Sequence, residues 1–119
     1  MERLTHQEEN VMLYVWQLNE CAIKDVVDRM EEPKPPYTTV ASIFRNLENK
    51  GYLHKRRFGN VKVFRPKITE AAYKRYFLSG VVQSYFENSY KELVTFFAKE
   101  QKITSEELAE IIRLIEKKQ

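Results

Sequence analysis

Between Leu53 and Arg65 the chain changes its period. Leu53-His54-Lys55-Arg56-Arg57-Phe58 and Val61-Lys62-Val63-Phe64-Arg65 are alternating stretches on either side of Gly59-Asn60. A glycine at the first of two loop residues suits a type II′ hairpin turn. The segments before and after it read as helix, so this hairpin sets the order in which the rest must be arranged.

Three amphipathic segments precede it. Thr5-His6-Gln7-Glu8 is a capping box, in which the Thr5 hydroxyl and the Glu8 carboxylate satisfy first-turn amides. Val11, Tyr14, Val15 and Leu18 follow at i, i+3, i+4 and i+7, and Ile23, Val26, Val27 and Met30 repeat that spacing in a second helix. Pro33-Lys34-Pro35-Pro36 stops the second helix in a stiff turn. Thr38 or Thr39 is expected to open a third, with Val40, Ile43, Phe44 and Leu47 on its core side. Gly51 fits the left-handed residue that closes it. Three helices and then a two-stranded hairpin is the order of a winged helix-turn-helix, mainly α with a small β wing.

From Thr69 the chain reads as helix almost to its end. Tyr73, Tyr76, Phe77, Val81, Val82, Tyr85 and Phe86 lie on one long helix. Asn88 or Ser89 starts another, carrying Tyr90, Leu93, Val94 and Phe97. Thr104-Ser105-Glu106-Glu107 caps a last one with Leu108, Ile111, Ile112 and Ile115. So much apolar surface on some fifty residues exceeds what a small monomeric core uses. The expected organisation is a winged-helix DNA-binding domain over 1–68 and an all-helical dimerisation domain over 69–119. The dimerisation residues would be Tyr76, Phe77, Val81, Tyr85, Leu93, Phe97, Leu108, Ile111, Ile112 and Ile115. Folding back onto the first domain, or lining a ligand pocket, are the alternatives for this surface.

Charge points to a partner. Arg45 to Lys67 holds eight Lys/Arg against the single acid Glu48, a net of +7 in a chain whose total is +3. Residues 1–44 carry −4, and residues 69–119 balance. A basic block this concentrated fits nucleic acid. On the third helix, Thr38, Ser42, Arg45, Asn46 and Asn49 lie opposite the core side, with Thr39 and Lys50 at its edge. That face has no carboxylate, and Glu48 projects sideways. Arg forks onto guanine, Asn onto adenine, and Ser or Thr takes either a base or a phosphate. In the hairpin, Arg57 would face Lys62, with Lys55 two positions along, while Arg56 and Arg65 lie on the other face. Like charges opposite one another destabilise a ladder, and a bound phosphate backbone relieves that repulsion. Asn60, in the turn, completes the set. An edge strand guarded against aggregation is the bland reading of the same lysines and arginines.

Other chemistries find little support. Adjacent acids (Glu8/Glu9, Glu31/Glu32, Glu106/Glu107) point about 100° apart on a helix and do not share a site. The spacing of His6, His54 and Cys21 makes no metal site, and the glycines form no phosphate-cradling loop. Cys21 is the only cysteine, so there is no intrachain disulfide. No enzyme constellation and no cofactor site is expected. With no signal-peptide pattern and no apolar run approaching the roughly 20 residues of a membrane span, the expectation is a cytoplasmic protein without membrane insertion.

Three stretches resemble the penicillinase-repressor family: Pro35-Pro36-Tyr37-Thr38-Thr39-Val40 through Arg45-Asn46-Leu47-Glu48-Asn49-Lys50-Gly51-Tyr52-Leu53; Gln7-Glu8-Glu9-Asn10-Val11-Met12 with Val15-Trp16; and Leu93-Val94-Thr95-Phe96-Phe97-Ala98-Lys99 with Ser105-Glu106-Glu107-Leu108. The family includes repressors of β-lactamase and methicillin-resistance genes and a branch controlling copper transport. The resemblance implies a bacterial homodimeric repressor on a palindromic operator, with Thr39, Ser42 and Arg45 at the family's recognition-helix contacts. Ala41 stands where the resistance-gene repressors carry an arginine, so their operator does not carry over. The copper branch's cysteine-rich tail is absent. The resistance branch is cleaved at an Asn-Phe bond after a membrane sensor's signal, and the matching pair here is Phe96-Phe97. A sensor and protease system is thus a partner only by resemblance. The alternative function is a winged-helix interaction module binding an acidic protein.

Overall fold

The computed structural model describes residues 1–118. The order is α1 (His6–Leu18), α2 (Ile23–Arg29), α3 (Tyr37–Asn49), β1 (Leu53–Phe58), β2 (Val61–Pro66), α4 (Glu70–Tyr85), α5 (Tyr90–Lys99) and α6 (Ser105–Lys117). The chain divides into two compact units, Met1–Phe77 and Leu78–Gln119.

In the first unit, local signals set the helix ends. The Thr5–Glu8 capping box opens α1, with Glu8 N–H to Thr5 Oγ1 at 3.2 Å and Thr5 N–H to Glu8 Oε1 at 2.9 Å. Asp25 reaches back to the Ala22 N–H at 2.8 Å to open α2. The Lys34 ammonium closes α2, donating to the carbonyls of Val27, Asp28 and Met30 at 3.0, 3.0 and 2.7 Å, where the helix dipole favours a cation. α3 begins one residue before the expected threonines. Pro36 takes the cap position with φ −60°, so Tyr37 is the first helical residue and Thr38 and Thr39 lie in the first turn. Proline's fixed φ suits a helix start and dispenses with a side-chain cap. At the other end Gly51 has φ +82°, with Gly51 N–H to Glu48 O at 3.0 Å and Tyr52 N–H to Leu47 O at 2.9 Å. That bond pair is a Schellman motif.

The wing is a two-stranded antiparallel sheet with Arg57 opposite Lys62 and Phe58 opposite Val61. Gly59 has φ +60°, the positive value that the first residue of a type II′ turn needs. Only the base of the wing is packed: Leu53 and Phe64 are buried, and Phe64 meets Phe44 of α3 at 4.8 Å between ring centroids. Cys21 adds a third, one-residue rung, exchanging bonds with Phe64 at 3.0 and 2.7 Å. Burial pushes its thiol up to about 11, with Asp25 adding to the shift, so it is a packed, protonated group.

Val11, Met12, Val15, Val26, Val40, Phe44, Leu47 and Tyr52 form the centre of this core. The start of α4 completes it. Tyr73 is buried, donates to Glu9 Oε2 at 2.5 Å, and lies 5.7 Å from the Trp16 ring. The Trp16 indole N–H bonds the Ile68 carbonyl at 2.9 Å. Phe77 packs against the same cluster, with the Arg3 guanidinium 5.6 Å from its ring.

The second unit has a different economy. Ser89 caps α5, and the Thr104–Glu107 capping box opens α6. Phe86 and Phe96 meet edge to face at 5.7 Å. Yet Val82 is the only buried side chain among the described residues of this unit.

Candidate nucleic-acid interface

The amphipathic pattern that buries Val40, Phe44 and Leu47 turns the opposite side of α3 outward. Thr38, Thr39, Ser42, Arg45, Asn46 and Asn49 are all exposed there, together with Tyr37 at the helix start. No acid lies in the first turn, and Glu48 is half-buried at the side, 3.5 Å from Lys55 Nζ. The helix therefore offers hydroxyl, amide and guanidinium groups with no carboxylate among them.

The wing leaves the packed core at Leu53 and carries its cations into solvent. Lys55, Arg56, Arg57, Asn60, Lys62 and Arg65 are exposed. Two are tethered by loose surface pairs, Lys55 to Glu48 and Arg65 to Glu20 at 3.6 Å. Such pairs contribute little and are readily exchanged for another anion. Arg45, Arg57 and Lys62 have no carboxylate within ion-pair distance among the described residues. The cross-strand register sets the Arg57 and Lys62 charges against each other.

Lys50 departs from the expected set. Its Nζ lies 2.6 Å from Glu8 Oε1 and 3.3 Å from the Arg3 carbonyl. Among the described residues Glu8 is the one buried charged side chain, and Lys50 is its counterion. Burial pushes the Glu8 carboxyl up, but the Lys50 hydrogen bond and charge and the Thr5 bonds outweigh it and hold it below its usual range. Lys50 is thus half-buried and held by a carboxylate that tertiary contact buries, unlike the exposed residues of this face. Phe77 likewise leaves the expected dimer set for the first unit's core. The remaining members of that set are exposed or half-buried: Tyr76, Val81, Tyr85, Leu93, Phe97, Leu108, Ile111, Ile112 and Ile115.

Sequence reasoning passed over Phe58 and Val61, which stand exposed as the last pair before the turn. The available signal was the hairpin register, which places both at the tip, beyond reach of the core. Among the described residues no group of three or more His, Cys, Asp or Glu is placed to hold a metal ion, and no helix is long and apolar enough to cross a membrane.

Three packed helices carrying a basic two-stranded wing define a winged helix-turn-helix protein. The chain belongs to the penicillinase repressor family, whose model matches residues 4–117. Among solved structures it is similar in fold to the organohalide-sensing RdhR transcriptional regulator in its ligand-free form, with a TM-score of 0.52 and 17% identity over 97% of this chain and 62% of that one. It thus spans under two thirds of that regulator's length. A mutant of Lactococcus lactis ZitR in apo form matches with a TM-score of 0.42 and 17% identity, over 93% of this chain and 78% of that one. No curated protein sequence matches it.

Proposed function

We propose that the protein is a homodimeric transcriptional repressor that places α3 in the major groove of a palindromic operator and grips flanking phosphates with the wing. The observation that carries this reading is the acid-free exposed face of α3 beside a wing whose Arg57 and Lys62 have no carboxylate within ion-pair distance among the described residues. Arg45, Ser42, Thr39 and Asn46 would read base edges, and Lys55, Arg56, Arg57, Lys62 and Arg65 would set register on the backbone. Repression would follow from occupying the promoter, so the mechanism needs no catalysis.

Self-association rests on the second unit. One buried side chain cannot hold three helices together in water, and Tyr85, Phe97, Ile111, Ile112 and Ile115 remain exposed. A second copy burying those faces would bring two α3 helices to half-sites about 34–36 Å apart, one turn of duplex or a multiple of it. Phe96-Phe97 lies inside α5, so proteolytic release at that bond would require the helix to open.

The test is selection of bound duplexes from a random pool, followed by fluorescence anisotropy of the enriched duplex against a scrambled one at several salt concentrations. Enrichment of an inverted repeat, with tight salt-sensitive binding, is the expected result. Equal affinity for every duplex and for other polyanions would instead favour a winged-helix module for an acidic protein partner.

A further inference from the structure

Phe58 and Val61 sit opposite each other at the end of the wing, 54% and 53% exposed. Five steps of strand at about 3.3 Å each carry Phe58 roughly 16 Å along the hairpin from the buried Leu53, well away from the core of the first unit. Around the pair stand Arg56, whose guanidinium lies 5.5 Å from the Phe58 ring, and the opposed Arg57 and Lys62. An edge protected only against aggregation would end in charge. This one ends in two apolar side chains framed by cations.

We infer that Phe58 and Val61 form an apolar tip that packs against the deoxyribose walls of the minor groove beside each half-site. The inference rests on the DNA-binding reading above and adds residues to it. Charge selects the occupant: the surrounding arginines and lysine suit phosphates, and between two phosphate rows a duplex offers the apolar faces of its sugars. The minor groove is about 6 Å wide, which admits a two-residue turn and its flanking side chains but not a helix. With α3 in the major groove, the adjacent minor groove is the surface a wing of this length meets.

The contact is apolar and displaces no counterion, so it separates from the phosphate contacts by salt dependence. Full-length Phe58→Ser/Val61→Ser is compared with the parent and with Arg57→Ala by anisotropy on the selected duplex. The double variant is expected to bind about ten- to hundredfold more weakly for each half-site at every salt concentration, the equivalent of burying the exposed halves of these two side chains. Its log affinity against log salt should keep the parent's slope, whereas Arg57→Ala lowers that slope by about one for each half-site, about two for the dimer. An unchanged slope also shows that the wing is intact, since a frayed hairpin would lose Arg57 and Lys62 together. Affinity within twofold of the parent overturns the inference, as does a slope that falls with affinity. So does tighter binding of the parent to phosphatidylglycerol vesicles than to duplex, lost in the double variant, because the tip would then be a membrane contact. A parent that selects no duplex refutes the proposed function; a parent that selects one while the double variant matches it refutes only the tip.

Discussion

Replacing Lys50 by methionine tests whether that lysine serves the fold or the DNA. Its ammonium is 2.6 Å from the Glu8 carboxylate, whose side chain is 5% exposed against 21% for Lys50. Breaking a buried ion pair by removing one partner costs about 3–5 kcal/mol, because the remaining charge is left without a counterion. Glu8 keeps the Thr5 N–H at 2.9 Å, and the partial exposure of Lys50 means the pair is partly screened. Both lower the expected loss to about 2–3 kcal/mol. With a urea slope near 1–2 kcal/mol per molar, the midpoint should fall by about 1–3 M at pH 7. Trp16, the only tryptophan, bonds Ile68 inside the first unit and reports its unfolding by fluorescence at fixed protein concentration.

The pH dependence sharpens the test. In the parent, Glu8 is held below its ordinary value, so its contribution is full above the unfolded carboxyl range and is lost as pH falls through the lower folded value. In the Lys50→Met protein, burial is opposed only by the Thr5 hydrogen bonds, so the Glu8 carboxyl should titrate higher than in the parent. Protonation then relieves the variant, so the gap to the parent should be widest near pH 7 and narrow toward pH 5. Operator binding below the melting temperature should keep the parent's salt slope, since no phosphate contact is removed. A variant with the parent's midpoint at pH 7, or a gap that widens on acidification, would refute this account of the pair.

Three further outcomes are expected. Arg45→Ala should weaken operator binding by about 1–3 kcal/mol and relax selection at one base pair, read by repeating the duplex selection, whereas Lys62→Ala should weaken all duplexes alike. Ile112→Glu should shift sedimentation from dimer toward monomer at micromolar concentration while the Trp16 transition persists, because it places a charge on the face a second copy would bury. Gly51→Ala should cost about 1 kcal/mol in urea unfolding, since φ +82° disfavours any Cβ even though nothing lies within 4 Å of one.

Much of the secondary structure was legible because its signals are local. A capping box needs four residues in sequence, and Thr5 with Glu8 and Thr104 with Glu107 formed as their spacing required. Gly51 closed α3 and Gly59 turned the wing because each supplies a positive φ. The 3.6-residue period separated Phe44 from Arg45, and the two-residue period set Arg57 opposite Lys62, so the candidate face and wing were readable in advance.

What remained hidden depended on which distant groups meet. Lys50 looked like the end of a basic face until Glu8, 42 residues away, was buried beside it and needed a counterion. Phe77 and Tyr73 looked like members of a separate helical domain, but the first unit lacked aromatic cover over Trp16 and Tyr52, and the first half of α4 supplied it. Cys21 became a rung of the wing only because α2 begins against Phe64. Periodicity and capping are properties of a few neighbouring residues, so the chain itself determined its helices, its hairpin and the direction each face would turn. Desolvation and charge pairing depend on what arrives from elsewhere in the chain, and only the tertiary structure decided which cations stay free for a partner and which are held by the fold.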